Sequence, residues 1–171
     1  MDKSTRHGGR TSPQGEHEGP GAVRIRRATT ADADAVARVH LDARRAAGDL
    51  FPPPRHRDDE LVPHLLRDVF PIAEVWVGEQ DGRVAGVLVL EGDLLDWLFV
   101  APDAQGTGVG GALLDLAKRQ RPAGLRLWVF ASNTPALRFY ERRGFRVIGG
   151  SDGSANEEGA PDLLLAWAGP V

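Results

Sequence analysis

A stretch with four glycines in seven residues, Gln105-Gly-Thr-Gly-Val-Gly-Gly111, places the tightest limit on what this chain can fold into. It follows the apolar run Leu94–Ala101 through Pro102-Asp103-Ala104, and it leads into a segment where Val109, Leu113, Leu116 and Ala117 repeat at helical spacing. Glycine admits positive φ and lets a ligand approach the backbone. The amides of such a turn therefore converge at a helix N-terminus whose dipole favours an anion. A phosphate or pyrophosphate is the expected ligand, and a tight turn with no ligand is the plainer alternative. A P-loop is excluded because no Gly-Lys-Ser/Thr follows. Gly106-x-Gly108-x-x-Gly111 also matches the dinucleotide fingerprint literally, but about 80 ordered residues precede it, where that motif opens its domain. In addition, no acidic residue closes the next strand at Phe130-Ala-Ser-Asn133.

Around this turn, strand and helix patterns alternate. Val23–Ala28 reads as a strand, and Thr29 or Thr30 caps a helix carrying Val36, Val39 and Ala43 toward Gly48. Phe51-Pro-Pro-Pro-Arg55 is a stiff loop, because three prolines remove donors and force extended backbone. A second helix is expected from Asp58 to Phe70, ended by Pro71. Strands at Glu74–Glu79 and Arg83–Leu90 flank an Asp81-Gly82 hairpin signal. After the glycine turn come a strand at Leu125–Phe130, a helix at Pro135–Arg143, and strands at Phe145–Ile148 and Leu163–Trp167. Gly149–Pro161 reads as a surface loop. The order β-α-α-β-β-β-α-β-α-β-β predicts an α/β fold, a mixed sheet covered by helices with a β-α-β unit at its centre.

A length of 171 residues supports one core. Residues 1–21 contain no apolar side chain after Met1 and are expected to form a disordered tail, leaving a single domain over 22–171. The tail has no apolar h-region, so it does not read as a signal peptide, and no run is long enough to span a membrane. A cytoplasmic location is expected. The chain has no cysteine, which excludes a disulfide framework, a Cys-based zinc site and a Cys nucleophile. A net charge of −3 argues against phosphate-driven nucleic-acid binding.

Gln105-x-x-Gly108-x-Gly110 after Leu98-Phe-Val100-Ala-Pro102, followed by Asn133-Thr-Pro-Ala136-Leu-Arg-Phe-Tyr140-Glu-Arg-Arg-Gly144-Phe145, resembles the GNAT superfamily of acetyl-CoA-dependent acyltransferases. The resemblance runs from about Val23 to Trp167 and implies a mostly antiparallel seven-stranded sheet with about four helices. It implies an N-acetyltransferase that moves an acetyl group from acetyl-CoA to an amine of a small molecule or peptide by direct attack in a ternary complex. By the same resemblance, the backbone of Gln105, Gly106, Thr107, Gly108, Val109, Gly110 and Gly111 cradles the pyrophosphate. Leu98, Phe99 and Val100 would pair their main chain with the pantetheine arm, as an added strand does. Asn133 and Ala136 would lie beside pantetheine, and Tyr140 would be the general acid that reprotonates the CoA thiolate. Phe139 reads as core.

The general base is less defined, because Trp128 and Phe130 occupy strand positions where many members carry Glu. Asp96 is then the candidate, placed by alternation on one face with Leu94, Leu98 and Val100; a solvated or structurally paired Asp is the alternative. Phe51, Arg55, His56, Arg57 and His64 fall where the family's acceptor lies, and Arg55 and Arg57 would suit an anionic acceptor unless they are only solvated. Asp152–Asp162 resembles a segment of a bacterial subset, with no chemical role assigned. Tryptophans 76, 97, 128 and 167 read as strand core, with Trp97 also a candidate wall of the acceptor groove. The expected partners are acetyl-CoA and an unidentified amine, without metal, nucleic acid or membrane, in a monomer or homodimer. Two alternatives stay open: a non-catalytic acyl-CoA sensor of the same fold, and a dinucleotide-dependent oxidoreductase.

Overall fold

The computed structural model describes residues 21–54, 57–154 and 156–169, so the expected tail up to residue 20 and the acceptor candidates Arg55 and His56 lie outside it. Seven strands, β1 (Arg24–Arg27), β2 (Glu74–Gln80), β3 (Arg83–Glu91), β4 (Leu94–Val100), β5 (Gly124–Phe130), β6 (Arg146–Ser151) and β7 (Asp162–Ala168), form one sheet in the order β1-β2-β3-β4-β5-β7-β6. Every neighbouring pair is antiparallel except β4 and β5. The helices are α1 (Ala33–Ala47), α2 (Leu61–His64), α3 (Val109–Gln120) and α4 (Thr134–Glu141). This is the expected α/β architecture, and its antiparallel sheet is incompatible with the doubly wound parallel sheet of a dinucleotide-binding oxidoreductase.

Local chemistry accounts for most of these elements. Asp81 and Gly82 both take positive φ, 51° and 76°, the turn that matches strand twist in a two-residue hairpin. Helix α1 is entered through a 3₁₀ turn at Thr30–Asp32, where the Asp32 carboxylate accepts from the Thr29 amide at 2.8 Å. Its buried face is Val36, Ala37, Val39 and Ala43. The second helix departs from one regular α-helix: α2 is flanked by a 3₁₀ turn at Asp58–Glu60 and a π segment at Leu65–Val69. Pro63 removes one amide from the middle of this run. In the π segment the Phe70 amide reaches back to the Leu65 carbonyl, which swings Leu65 and Val69 into the core.

The core lies between the sheet and helices α1 and α3. A Cβ on Gly86 would stand 2.6 Å from Val109 Cγ1 and 2.8 Å from Leu113 Cδ1, so glycine there lets α3 press onto β2 and β3 and fixes where the helix begins. Two expectations are corrected. Gly149, Gly150 and Ser151 belong to β6 and pair with Leu164, Leu163 and Asp162, because a bulge at Ile148 restores the ladder beyond the expected strand end. Trp128 is 48% exposed, since alternation along β5 turns Leu125, Leu127 and Val129 inward and Trp128 outward. Val109 has a fully buried side chain in the core, in line with its place in the apolar repeat of α3, while its backbone belongs to the glycine turn.

Arg26 ties β1 to β2 and to the entry of α1: Nη2 and Nη1 reach Asp32 at 2.8 and 2.9 Å, and Nε reaches Glu79 at 2.7 Å. The Arg26 guanidinium holds the Asp32 carboxyl down to about 2 from its ordinary 3.8. Its stabilising effect is therefore full above pH 3.8 and is lost as the pH falls through about 2. Asp32→Ala is expected to lower unfolding free energy in urea at pH 7 by about 1–2 kcal/mol, since it also removes the cap of α1. The difference from wild type should shrink as the pH is taken from 3.8 toward 2; equal stabilities at pH 7 would dismiss the network.

Candidate active site

The parallel strands β4 and β5 share a single register pair, Leu94 with Arg126, anchored by the Arg126 amide donating to the Asp93 carbonyl at 2.9 Å. From Leu95 onward the β4 edge facing β5 has no strand partner, so a wedge opens beside Leu98, Phe99 and Val100.

Past the end of β4 stands the glycine turn. Gly106 and Gly108 have φ of 77° and 102°, and a Cβ at either would meet nothing within 4 Å. Gly108 is the N-cap of α3, so the first-turn amides of Val109, Gly110 and Gly111 have no acceptor within the helix. Thr107 braces the turn, its hydroxyl donating to the Ala104 carbonyl at 2.8 Å and meeting Gln80 Oε1 at 3.0 Å. Gln105 donates from Nε2 to the Val100 carbonyl. The Arg143 guanidinium stands over Gly111, where a Cβ would be 2.6 Å from Nη2, and adds positive charge to this end of the wedge. These features fit a diphosphate.

On the α1 side lies a cleft of about 1250 Å³. His40 of α1 packs on Trp97 and Phe99 of β4 at 4.3 and 4.5 Å between ring centroids. Phe51 reaches Phe99 at 6.1 Å and Phe130 of β5 at 5.9 Å, closing the wedge with aromatic rings. Trp97, Phe51, Arg57 and His64 line this cleft as expected. Arg57 holds Asp59 in a two-point ion pair and His64 meets Asp68 at 2.9 Å, so neither offers an uncommitted charge to an anionic acceptor.

Sequence reasoning missed three features. Arg44, half-buried over the Phe51 ring at 4.8 Å, donates to the Pro52 carbonyl. Burial lowers its pKa while the field of Glu158 raises it. The 152–161 segment is the second: Asn156 donates to the Ala160 carbonyl and to Asp162, and this fold brings Glu157 and Glu158 into the cleft wall. His40 is the third. Burial, followed by the charges of Arg44 and His64, pushes its pKa down to about 4, and its Nδ1 is buried without a hydrogen-bond partner. Its position on the apolar face of α1, four residues after Val36, was the signal available.

The expected catalytic residues take different settings. The β3–β4 register slips so that Trp97 faces Val89 and Leu95 faces Leu90, leaving Asp96 as the extra residue of a bulge. Simple alternation therefore fails at Asp96, and it does not place this residue on one face with Leu98 and Val100. Desolvation and then Glu91 raise its carboxyl above the ordinary value, against a smaller opposing effect of His64, and water at this exposed residue moderates the rise. Tyr140 is buried between Phe139 and Phe145, with centroids at 5.2 and 5.4 Å, and burial drives its phenol well above 10. Among the described residues no protein group hydrogen-bonds its hydroxyl. Asn133 caps α4, its Oδ1 accepting from the Ala136 amide at 3.3 Å, which leaves its Nδ2 group for another partner. Ala136 and Phe139 pack against the core. Among the described residues no group of three or more His, Cys, Asp and Glu could hold a metal, and no helix is long and apolar enough to cross a membrane.

A glycine turn at the N-terminus of α3 and a splayed parallel strand pair within one mostly antiparallel sheet make up an acetyltransferase-type fold, and comparison with known proteins agrees. The family model for the acetyltransferase (GNAT) domain matches residues 71–147. Peptidyl-lysine N-acetyltransferase YiaC of Escherichia coli is 35% identical over 105 residues, 60% of this chain and 70% of that protein. Peptidyl-lysine N-acetyltransferase YjaB of Salmonella typhimurium is 39% identical over 103 residues, 59% of this chain and 68% of that protein. The solution structure of apo YjaB from Escherichia coli superposes with a TM-score of 0.71 at 29% identity, covering 87% of this chain and 99% of that one. The chain belongs to the GNAT family and is an N-acetyltransferase.

Proposed function

We propose that the protein transfers an acetyl group from acetyl-CoA to the side-chain amine of a lysine in a peptide or protein, by direct attack within a ternary complex. The observation that carries this reading is the wedge between β4 and β5. It has an amide-lined turn suited to a diphosphate on one side and an aromatic cleft with walls of mixed charge on the other. The cleft is larger than a simple amine needs, and its rings suit the methylene stem of lysine. Three curated relatives carry the name peptidyl-lysine N-acetyltransferase.

Acetyl-CoA supplies the acetyl group as a thioester. The amides of Gly106 to Gly111 would hold its diphosphate, Gln105 and Thr107 would keep their turn in shape, and the β4 edge at Leu98 to Val100 would take the pantetheine arm as an added strand. Asn133 Nδ2 would bind that arm beside Ala136. Two proton movements remain for side chains. Tyr140, held neutral by burial, would give its proton to the departing sulfur, and Asp96, acting through water, would receive the proton that leaves the amine. No Cys is present to carry an acyl group, which fits direct transfer.

The test measures free thiol released from acetyl-CoA over a panel of lysine peptides, free amino acids, polyamines and aminoglycosides, with mass spectrometry locating the acetyl group. Lysine peptides should be turned over best, with modification at the side-chain nitrogen. Turnover of small amines with inert peptides would overturn the acceptor assignment.

A further inference from the structure

We propose that His40 binds the acceptor amine: its Nε2 accepts a hydrogen bond from the amine N–H and fixes the nucleophile against β4. This rests on the transfer reading above and adds a residue to it. The imidazole lies in the wall of the acceptor cleft and is stacked on Trp97 and Phe99, the strand whose free edge suits the donor arm. Its Nδ1 is sealed off without a partner, and among the described residues no protein group bonds Nε2. Nδ1 carries the cost of an unpaired buried nitrogen whatever occupies the cleft, whereas Nε2 is not among the buried orphans and keeps its acceptor capacity for a group that enters the cleft. Nε2 is the ring atom that a ligand in the cleft can reach.

The chemistry of the ligand then sets the tautomer. An attacking amine must keep its lone pair for the carbonyl, so the pocket can hold it only by accepting from its N–H, which places the imidazole proton on Nδ1. Such acceptance needs a neutral ring, since imidazolium only donates and would repel an ammonium. The charged groups that bear on it keep it neutral: Arg44 from its own helix and His64 from α2 add to the effect of burial. His40 is thus a permanent acceptor at physiological pH and not a base that cycles through its charged form.

The test compares His40→Phe, which preserves ring packing and removes both nitrogens, with His40→Gln, whose Oε1 can accept near the position of Nε2. The probe is a lysine-containing peptide, with any other amine of the panel that wild type turns over run in parallel. His40→Phe should lose about tenfold or more in kcat/KM, mostly through KM for the amine, with acetyl-CoA affinity unchanged. His40→Gln should recover a substantial part of that loss. ¹⁵N-histidine NMR of wild type should show the His40 Nε2 signal shift on adding the peptide in the presence of CoA, a readout that needs no turnover. Equal kcat/KM in wild type and His40→Phe, or an unmoved Nε2 signal with saturating amine, would overturn the proposal. So would a wild-type pH limb near 6.5 that disappears in His40→Gln, since it would make His40 a titrating base. If wild type acetylates another amine and no peptide, the lysine-peptide reading falls alone, and the same variants decide the role of His40 with that amine.

Discussion

Tyr140→Phe is expected to lower kcat for acetyl transfer by about 10²–10⁴-fold, the range for loss of a positioned general acid. The loss should fall on kcat and kcat/KM together, with the acetyl-CoA dissociation constant unchanged. The hydroxyl has no protein partner among the described residues, so its removal strands no buried group, and the melting temperature should move little. Burial raises the phenol above its ordinary 10, which keeps the proton in place. Wild-type kcat should therefore show no basic limb from this group below about pH 10. Stopped-flow and steady-state thiol release on both proteins provide the measurement. A kcat within about threefold of wild type would make Tyr140 a packing residue only.

Gly108→Val is expected to abolish measurable acetyl-CoA binding, a loss of about 10²-fold or more, while the chain still folds. Two effects combine. The N-cap of α3 sits at φ 102°, a conformation a β-branched residue resists at a cost of about 1–2 kcal/mol. The new side chain would also project into open space beside the turn, since nothing stands within 4 Å of a Cβ there. Isothermal titration with acetyl-CoA reads the first consequence, and thermal unfolding reads the second as a drop of a few degrees. Unimpaired affinity would remove the turn from its proposed role.

Much of this architecture could be read along the chain because the signals act over a few residues. The Asp81-Gly82 turn, a threonine cap before α1 and the apolar stripe of α3 each state their own conformation. The glycine turn was legible for the same reason, since positive φ at Gly106 and Gly108 is a local demand that few other residues meet. The catalytic surroundings were less so. Asp96 was assigned by alternation, but a bulge depends on how β4 registers against β3, and no spacing within β4 reveals it. Trp128 was read as core because its strand is apolar, yet which face of β5 is covered depends on helices elsewhere in the chain.

By itself the sequence determined the order of the strands and main helices, the positive-φ turn before α3 and the lack of a cysteine. Only the tertiary structure decided the cleft beside α1. Its walls come from α1, the segment after it, α2, the β4 strand and the 152–161 segment, and sheet order brings them together across more than a hundred residues. His40 shows the physical reason. On its helix it is one polar residue on an apolar face, and what makes it a ligand site is burial against Trp97 and Phe99, an environment that exists only once α1 docks on β4.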